Sequence, residues 1–249
     1  MLELILAFIT GLAMGSFYNV LIYRIPRNVS IIFPPSSCPS CRHRIAWYDN
    51  IPVLSYLILR GRCRHCGERI SPQYPIVELT SGALAVFSMW KWGFTLDAVF
   101  LYFFFSSLLV ISLIDFKFFI IPDVITIPGT LVGIAVSPFR EGIDFIHSAS
   151  GAVVGMLIPL IIYFFYVKVR KMEGLGLGDV KLLAFIGSAT GIYGVLMAFF
   201  LGSVAGLIYA LPWVIKNRSA GFAIPFGPFL SLGCFIGTVI DLRGVFPLP

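Results

Sequence analysis

Three aspartates stand at the ends of apolar stretches of the chain. Asp115 closes one such stretch, Asp123 opens the next one after Pro122, and Asp179 opens a later one after the glycine-rich run 174–178. A carboxylate at the mouth of a membrane segment is costly to place there and indicates a functional site by default. The glycines before Asp179 allow the backbone of a partner or substrate to approach closely. We therefore expect a functional site among these acids.

Paired carboxyl groups can hydrolyse a peptide bond without a metal or a nucleophilic side chain. Two carboxylates a few ångströms apart cannot both ionise, so one holds a proton and the other does not. The base of such a pair can activate a water molecule while the acid protonates the leaving amine. Plainer roles stay open for Asp123 and Asp179, because an acid in the first turn of a helix or at its N-cap is favoured anyway. Asp115 ends a helix, where the dipole disfavours an acid.

Four cysteines form a second candidate site near the N-terminus. They occur as two Cys-x2-Cys pairs separated by 21 residues, namely Cys38 with Cys41 and Cys63 with Cys66. This pattern is typical of a structural four-cysteine zinc site. Two disulfides are the alternative, which an oxidising compartment would favour. A block of about 50 residues is too small to fold on its core alone, so the metal would supply stability.

The composition predicts a polytopic membrane protein. The chain of 249 residues is 58% hydrophobic and only 12% charged, with a mean hydropathy of +0.94. Soluble domains have about 45–50% apolar and about 25% charged residues. We predict an all-α fold of about eight transmembrane helices. The predicted spans are 2–23, 73–91, 97–114, 122–138, 147–168, 179–191, 193–215 and 223–241. The fourth and sixth are short and interrupted, as helices that line a site often are.

The charges orient these spans. Residues 24–75 contain eight arginines and two acids, Asp49 and Glu68. This block therefore has a net charge of +6, which is also the net charge of the whole chain. With this block inside and the spans alternating, the cytoplasmic segments carry 15 of the 18 Lys and Arg residues. Both termini are then outside, and Asp115, Asp123 and Asp179 share the cytoplasmic boundary, whereas Asp97, Glu141, Asp144 and Asp241 lie on the other side. We also expect the block to touch anionic membrane lipid.

These residues resemble two related groups of enzymes. Gly176-Leu177-Gly178-Asp179 resembles the Gly-x-Gly-Asp motif of intramembrane aspartyl proteases, which include the presenilin-type enzymes. Together with Asp115, Ile121-Pro122-Asp123 and Pro225–Phe229, it resembles the bacterial type IV prepilin leader peptidase/N-methyltransferases. The resemblance implies that Asp115 and Asp179 are the catalytic pair. Its supporting residues would be Asp123, Gly176, Gly178, Lys181, Pro225 and Gly227.

The N-terminal region resembles the bifunctional form of that family. The matching features are Gly15–Val20, Arg24, the four cysteines, Ile51-Pro52, Leu59–Cys63 and Tyr74-Pro75-x-x-Glu78. The resemblance implies that S-adenosylmethionine methylates the amine that cleavage exposes. Polar residues at the junction of the basic block and the first two spans are the expected methyl-donor contacts, namely Asn19, Arg24, Arg60 and Glu78. The alternatives are an interhelical hydrogen bond for Asn19 and an ion pair with an arginine for Glu78.

The organisation predicted from these features has three parts. Residues 1–24 form the first transmembrane helix, 25–72 a cytoplasmic zinc-binding loop domain, and 73–249 a seven-helix aspartyl peptidase domain. The resemblance implies prepilin or pseudopilin substrates of a type IV pilus or type II secretion system, and a place in the bacterial inner membrane. We expect no nucleic-acid partner. A proton- or ion-coupled transporter that uses the same acids is the alternative from another class, and a different intramembrane protease is a third.

Overall fold

The computed structural model describes residues 1–170, 176–217 and 224–240, and its regular elements there are helices. Short 3₁₀ turns at Ile25–Arg27, Trp47–Asn50 and Ser137–Phe139 join some of them. The α-helices are α1 (Leu2–Arg24), α2 (Leu54–Ile58), α3 (Gln73–Trp92), α4 (Leu96–Phe118), α5 (Asp123–Val136), α6 (Phe145–Arg170), α7 (Leu177–Asn217) and α8 (Gly227–Ile240). The predicted all-α fold is confirmed for the described residues. Gly174 and Asp241, which the sequence analysis singled out, lie outside them.

Four apolar segments of the described chain are long enough to cross a membrane. They are Leu2–Arg27, Leu96–Phe118, Phe145–Val169 and Leu177–Ile215, and two shorter apolar helices, Asp123–Phe139 and Gly227–Ile240, accompany them. Length and apolar composition identify a membrane protein. The exact number of eight crossings stays a prediction.

The chain divides into two compact units, of which the first comprises Met1–Ser106. Its main contact is α1 against α3. A Cβ on Gly11 would lie 2.7 Å from the Cα of Gly82, so these backbones touch with no side chain between them. The Ser81 hydroxyl donates a hydrogen bond of 2.7 Å to the Gly11 carbonyl. Small residues and short polar bonds at the seam are the usual way in which membrane helices associate.

The second unit comprises Ser107–Pro249, and α7 is its central helix. It packs against α5, α6 and α8. At Gly191 the backbone leaves the helical region, with φ 73° and ψ −173°, which favours glycine. This kink lies at the break that the sequence predicts between spans 179–191 and 193–215. Ser148 and Arg140 donate to the carbonyls of Ser188 and Ala189, at 2.7 and 2.9 Å, and so satisfy acceptors at the break.

The contacts of α7 show that it folds back at this kink. In a straight helix Gly206 would be about 40 Å from Asp179, at about 1.5 Å per residue. However, a Cβ on Gly206 would lie 3.6 Å from the Phe226 ring. Gly227, which follows Phe226, donates its backbone N–H to the Asp115 carboxylate. Asp115 in turn interacts electrostatically with Asp179. Gly206, in the second half of α7, therefore lies on the same side of the second unit as Asp179 at its start.

Candidate active site and metal centre

Asp115 lies in the last turn of α4 and is 5% exposed. Its carboxylate oxygen Oδ2 accepts a hydrogen bond of 2.8 Å from the backbone N–H of Gly227, the first residue of α8. The N–H groups of a helix N-terminus lack intrahelical partners and favour an acidic acceptor. The contact explains how the fold stabilises an acid at the C-terminal end of α4, where the dipole of its own helix disfavours it.

Asp179 lies in the first turn of α7 and is 8% exposed. Its Oδ2 accepts a hydrogen bond of 3.2 Å from the N–H of Gly176, and its own N–H donates to the Gly176 carbonyl at 3.1 Å. A Cβ on Gly178 would lie 3.0 Å from the Cβ of Ile121, so the motif packs closely against the turn before α5. Asp179 and Asp115 are close enough to interact electrostatically. The structure thus brings together the two acids that the resemblance pairs.

Asp123 and Lys181 form an ion pair beside these buried acids. The Lys181 ammonium lies 2.7 Å from each Asp123 carboxylate oxygen, and both side chains are about half exposed. An exposed pair of this kind contributes at most about 1 kcal/mol to stability. Its geometric effect is to hold the start of α5 against the first turn of α7. Both residues are among the supporting residues that the resemblance implies, but their pairing is visible only in the structure.

Pro225 is buried in the short non-helical segment that leads into α8. The carbonyl of Phe226 accepts hydrogen bonds from Phe229 and Leu230, both at 3.1 Å, as at an ordinary helix start. Gly227 follows at the point of closest approach to Asp115. The Pro-Phe-Gly segment therefore places the N-terminus of α8 against the carboxyl group.

Replacing Gly227 with alanine is expected to lower the peptide cleavage that the resemblance implies about a hundredfold, because an added Cβ would lie 2.8 Å from the Asp115 Oδ2 and push the carboxylate aside. Cleavage of a prepilin peptide by the purified variant measures this. The matched control is Gly206→Ala, whose Cβ meets the Phe226 ring at 3.6 Å, an ordinary contact. Equal activities of the two variants would refute the importance of the Gly227 approach.

The four cysteines of the first unit converge on one point. Their Sγ atoms all lie within 4.8 Å of one another, and those of Cys38 and Cys66 are 3.8 Å apart. Tetrahedral Zn²⁺ with Zn–S bonds of about 2.3 Å requires sulfur separations of about 3.8 Å. All four are free thiols, so the disulfide alternative finds no support here. The cluster fits a closed structural metal site.

The two halves of the cluster have the same backbone geometry. The N–H of Cys38 donates to His43 and that of Cys63 donates to Glu68, at 2.9 and 2.8 Å. Backbone N–H groups of Cys66 and His65 lower the pKa of the Cys63 thiol to about 7. At Cys63 this favours the thiolate, which is the form that ligates a metal, whereas desolvation and hydrogen bonds to the other three cysteines raise the pKa of Cys66 to about 12.

The residue after each second cysteine has a left-handed backbone. Arg42 follows Cys41 with φ 59°, and Gly67 follows Cys66 with φ 71°. The two pairs are therefore equivalent knuckles, which the repeated spacing in the sequence predicts.

Asn19 and Glu78 lie at the seam between α1 and α3. Both are buried, and both lie close to Gly15. The Asn19 amide donates to the Gly15 carbonyl at 3.3 Å, and a Cβ added to Gly15 would lie 2.6 Å from the Cα of Glu78. The Asn19 amide also donates to the Tyr74 carbonyl at 3.0 Å, which agrees with the interhelical alternative. Its Oδ1 is buried and finds no hydrogen-bond partner in the described part of the chain. A buried acceptor without a partner suits a cationic or hydrogen-bond-donating ligand.

The contacts of Glu78 differ from those that the sequence suggests. Its Oε2 accepts a hydrogen bond of 2.7 Å from the N–H of Val53, a main-chain donor rather than an arginine. Val53 has φ 62° and ψ −50°, an unusual conformation for a β-branched residue. Sequence reasoning missed Val53, because a backbone N–H leaves no mark on residue type; only the preceding Pro52 points to a special turn.

Arg24 and Arg60 are placed differently from Asn19 and Glu78. The buried Arg24 guanidinium donates to the carbonyls of Ser30 and Pro34, at 2.7 and 2.6 Å. Arg60 is exposed, with a left-handed φ of 52°. Neither guanidinium bonds to Asn19 or Glu78 within the described residues. Arg24 thus holds the loop that follows α1, and its predicted contact with a ligand carboxylate stays a prediction.

The chain matches known protein families over most of its length. Residues 9–92 match the bacterial peptidase A24 N-terminal domain, and residues 102–211 match the type IV leader peptidase family. A Pseudomonas putida protein named prepilin leader peptidase/N-methyltransferase is 36% identical over 94% of this chain and 89% of its own length. Proteins of the same name from Myxococcus xanthus and Klebsiella pneumoniae are 41% and 36% identical, over 86% and 80% of this chain and 64% and 90% of their own lengths.

No solved structure matches the chain. The two family matches correspond to the cysteine-containing region and to most of the helices that carry the acids. With relatives above 30% identity along nearly the whole sequence, the assignment follows directly: the chain belongs to the type IV leader peptidase family.

Proposed function

We propose that this protein is an aspartyl endopeptidase that removes the leader of type IV prepilin-like proteins and then methylates the new N-terminus. The observation that carries the proposal is the buried pair Asp115 and Asp179, which interact electrostatically and are each bonded to a glycine N–H. Three relatives in different bacteria carry the name of both activities. A transporter is not favoured by these findings.

The two carboxyl groups supply the parts needed for peptide hydrolysis. One carboxylate takes a proton from water, whose hydroxyl adds to the scissile carbonyl carbon, and the other carboxyl group protonates the leaving amine. Burial excludes competing water and strengthens each interaction inside the site. The ion pair of Asp123 with Lys181 positions the surrounding turns. Gly176, Gly178 and Gly227 allow the backbone to approach the acids.

The site would face the cytoplasm of a bacterial cell, in its inner membrane. Eight crossings with both termini outside account for the charge distribution and agree with the reversal of α7 at Gly191. In this arrangement the cleavage site lies where a basic leader would remain inside. Substrates would be prepilins or pseudopilins of a type IV pilus or type II secretion system, with no nucleic acid involved.

The chain would consist of three parts, residues 1–24, 25–72 and 73–249, and the middle part would hold a structural zinc ion. Cys38, Cys41, Cys63 and Cys66 would hold Zn²⁺ in a closed four-thiolate site, which has no open position for catalysis. The metal would give the loop domain most of its folding free energy.

Methyl transfer would use S-adenosylmethionine at the seam of α1 and α3. The donor would supply a methyl group activated by a sulfonium, and its transfer to the free amine of the cleaved protein would release the neutral thioether and a proton. Glu78 and the unpartnered Oδ1 of Asn19 present negative character to such a cation. Arg24 and Arg60 complete the predicted set as candidates for the donor's carboxylate.

The direct test is to incubate the purified, reconstituted protein with a prepilin peptide and S-adenosylmethionine carrying a labelled methyl group. We expect a cut product whose new N-terminal residue carries the label. An intact peptide after prolonged incubation would refute the proposal. A cut product without label would refute the methyl-transfer half and leave the peptidase half standing.

Replacing Glu78 with glutamine is expected to reduce the rate of methyl transfer at least about tenfold more than the rate of cleavage. A tenfold difference corresponds to the loss of one charge-assisted hydrogen bond to the methyl donor. Glutamine keeps an acceptor for the Val53 N–H, so the local fold should survive. Separate rates of cleavage and of label incorporation measure the effect. A parallel decline of both rates would show that Glu78 serves the fold only.

A further inference from the structure

The short helix α2 exposes an apolar face that nothing in the described chain covers. Leu54, Leu57 and Ile58 are spaced i, i+3 and i+4, so they share one side of the helix. Leu57 is 64% and Ile58 73% exposed, whereas Ser55 on the other side is buried. Exposed clusters of large aliphatic side chains indicate an interaction surface. The polar side of α2 is already used, since the Ser55 hydroxyl donates to the Tyr48 carbonyl at 2.9 Å.

The surroundings of this face have the composition of a membrane interface. The adjacent 3₁₀ turn contacts α2 and carries Trp47, which is 80% exposed. Arg60 and Arg62 directly follow the helix and are exposed. Tryptophan is enriched at the boundary of the bilayer. Arginines beside apolar residues suit anionic headgroups, and a second protein surface would have to be acidic to match the +6 charge of this block.

A hydrogen bond fixes the position of α2 relative to α3, which corresponds to the predicted span 73–91. The N–H of Val53, which immediately precedes α2, donates to Glu78 at 2.7 Å. Glu78 lies five residues into α3, about 7.5 Å along the helix axis at about 1.5 Å per residue. Interfacial amphipathic helices lie about 5–10 Å into the boundary of headgroups and acyl chains. Exposed Ile76 and Leu79 on the same turns of α3 would face lipid at this level.

We propose that α2 is an interfacial helix whose face of Leu54, Leu57 and Ile58 inserts among the lipids of the membrane that the chain spans. Insertion would hold the cysteine-containing loop domain flat on the anionic membrane surface. The bond between Val53 and Glu78 would set its depth. This placement holds whether or not Asp115 and Asp179 are catalytic.

Site-specific photocrosslinking in lipid nanodiscs tests this insertion. The full-length protein carries p-benzoylphenylalanine at Leu57 or Ile58, in nanodiscs of phosphatidylcholine with phosphatidylglycerol, and intact mass spectrometry after irradiation detects lipid adducts. The control places the same probe at Glu68, an exposed residue of the same block. We expect lipid adducts at Leu57 and Ile58 to exceed those at Glu68 at least about fivefold. Equal adduct levels at the three positions would overturn the proposal.

Two further outcomes decide between occupants of the face. A crosslinked dimer, or a crosslink to added prepilin in place of lipid, would assign the face to protein and overturn the proposal. With the probe at Leu54, the double variant L57Q/I58Q is expected to lower lipid adducts at least about threefold, because the helix loses its apolar contacts. Adducts at Leu54 that do not change in this variant would also overturn it. Retained zinc content reports that the loop domain is folded in each variant.

Discussion

Asp179→Asn is expected to abolish cleavage of a prepilin peptide while the protein remains folded. The amide cannot share a proton with Asp115, so the pair loses either its acid or its base. Positioned acid–base groups contribute about 10²–10⁴-fold each, so we expect a loss of about 10³-fold or more. Asparagine is isosteric and keeps an acceptor for the Gly176 N–H, which preserves the local hydrogen bond.

Asp144→Asn is the matched control for this variant. Asp144 is an exposed acid of the same unit that bonds to His147, and it has no contact with the buried pair in the described structure. Its replacement should leave cleavage unchanged. If Asp179→Asn cleaves as fast as Asp144→Asn, the aspartyl mechanism is wrong.

The two acids are expected to act as one unit. Asp115→Asn should reduce cleavage as far as Asp179→Asn does, and the double variant should be no worse than either single one, because residues that act together are not additive. Initial rates of the three variants on one peptide test this. Additive losses would mean that the two acids work independently.

The sequence predicted the residues of this site better than the contacts between them. Acids beside apolar runs are visible because their placement is costly, and paired cysteines are visible because a chelate requires fixed spacing. The reversal of α7 at Gly191 brings its second half beside the start of α8, whose Gly227 N–H bonds to Asp115. In the sequence this long-range packing is marked only by glycines, and a glycine does not show which distant residue it contacts.

Main-chain partners were the part that sequence reasoning could not supply. Glu78 was expected to meet an arginine or a ligand, yet it accepts from the Val53 N–H. Arg24 was expected at a ligand carboxylate, yet it donates to two loop carbonyls. Every residue except proline carries both a backbone N–H and a carbonyl, so residue type gives little sign of which one a side chain will select.

Removal of the metal is expected to unfold the loop domain between α1 and α3. A structural Zn²⁺ supplies about 10 kcal/mol or more of folding free energy, which a block this small cannot replace. We expect one zinc per chain, rapid trypsin cleavage at the arginines of residues 24–75 after chelation, and protection again after zinc is restored. Cys63→Ser should bind zinc at least about a hundredfold more weakly, since the site loses one of its four thiolates.

The fifth cysteine provides the control for this experiment. Cys234 is buried in α8 and lies outside the cluster, so Cys234→Ala should keep full zinc content and the same trypsin resistance. Zinc content is measured by elemental analysis of the purified variants, and loop unfolding by the rate of tryptic cleavage. A Cys63→Ser protein with the zinc content and trypsin resistance of Cys234→Ala would contradict a metal-dependent loop. The convergence of the four sulfur atoms would then have to arise from packing, although three of the four cysteines are not buried.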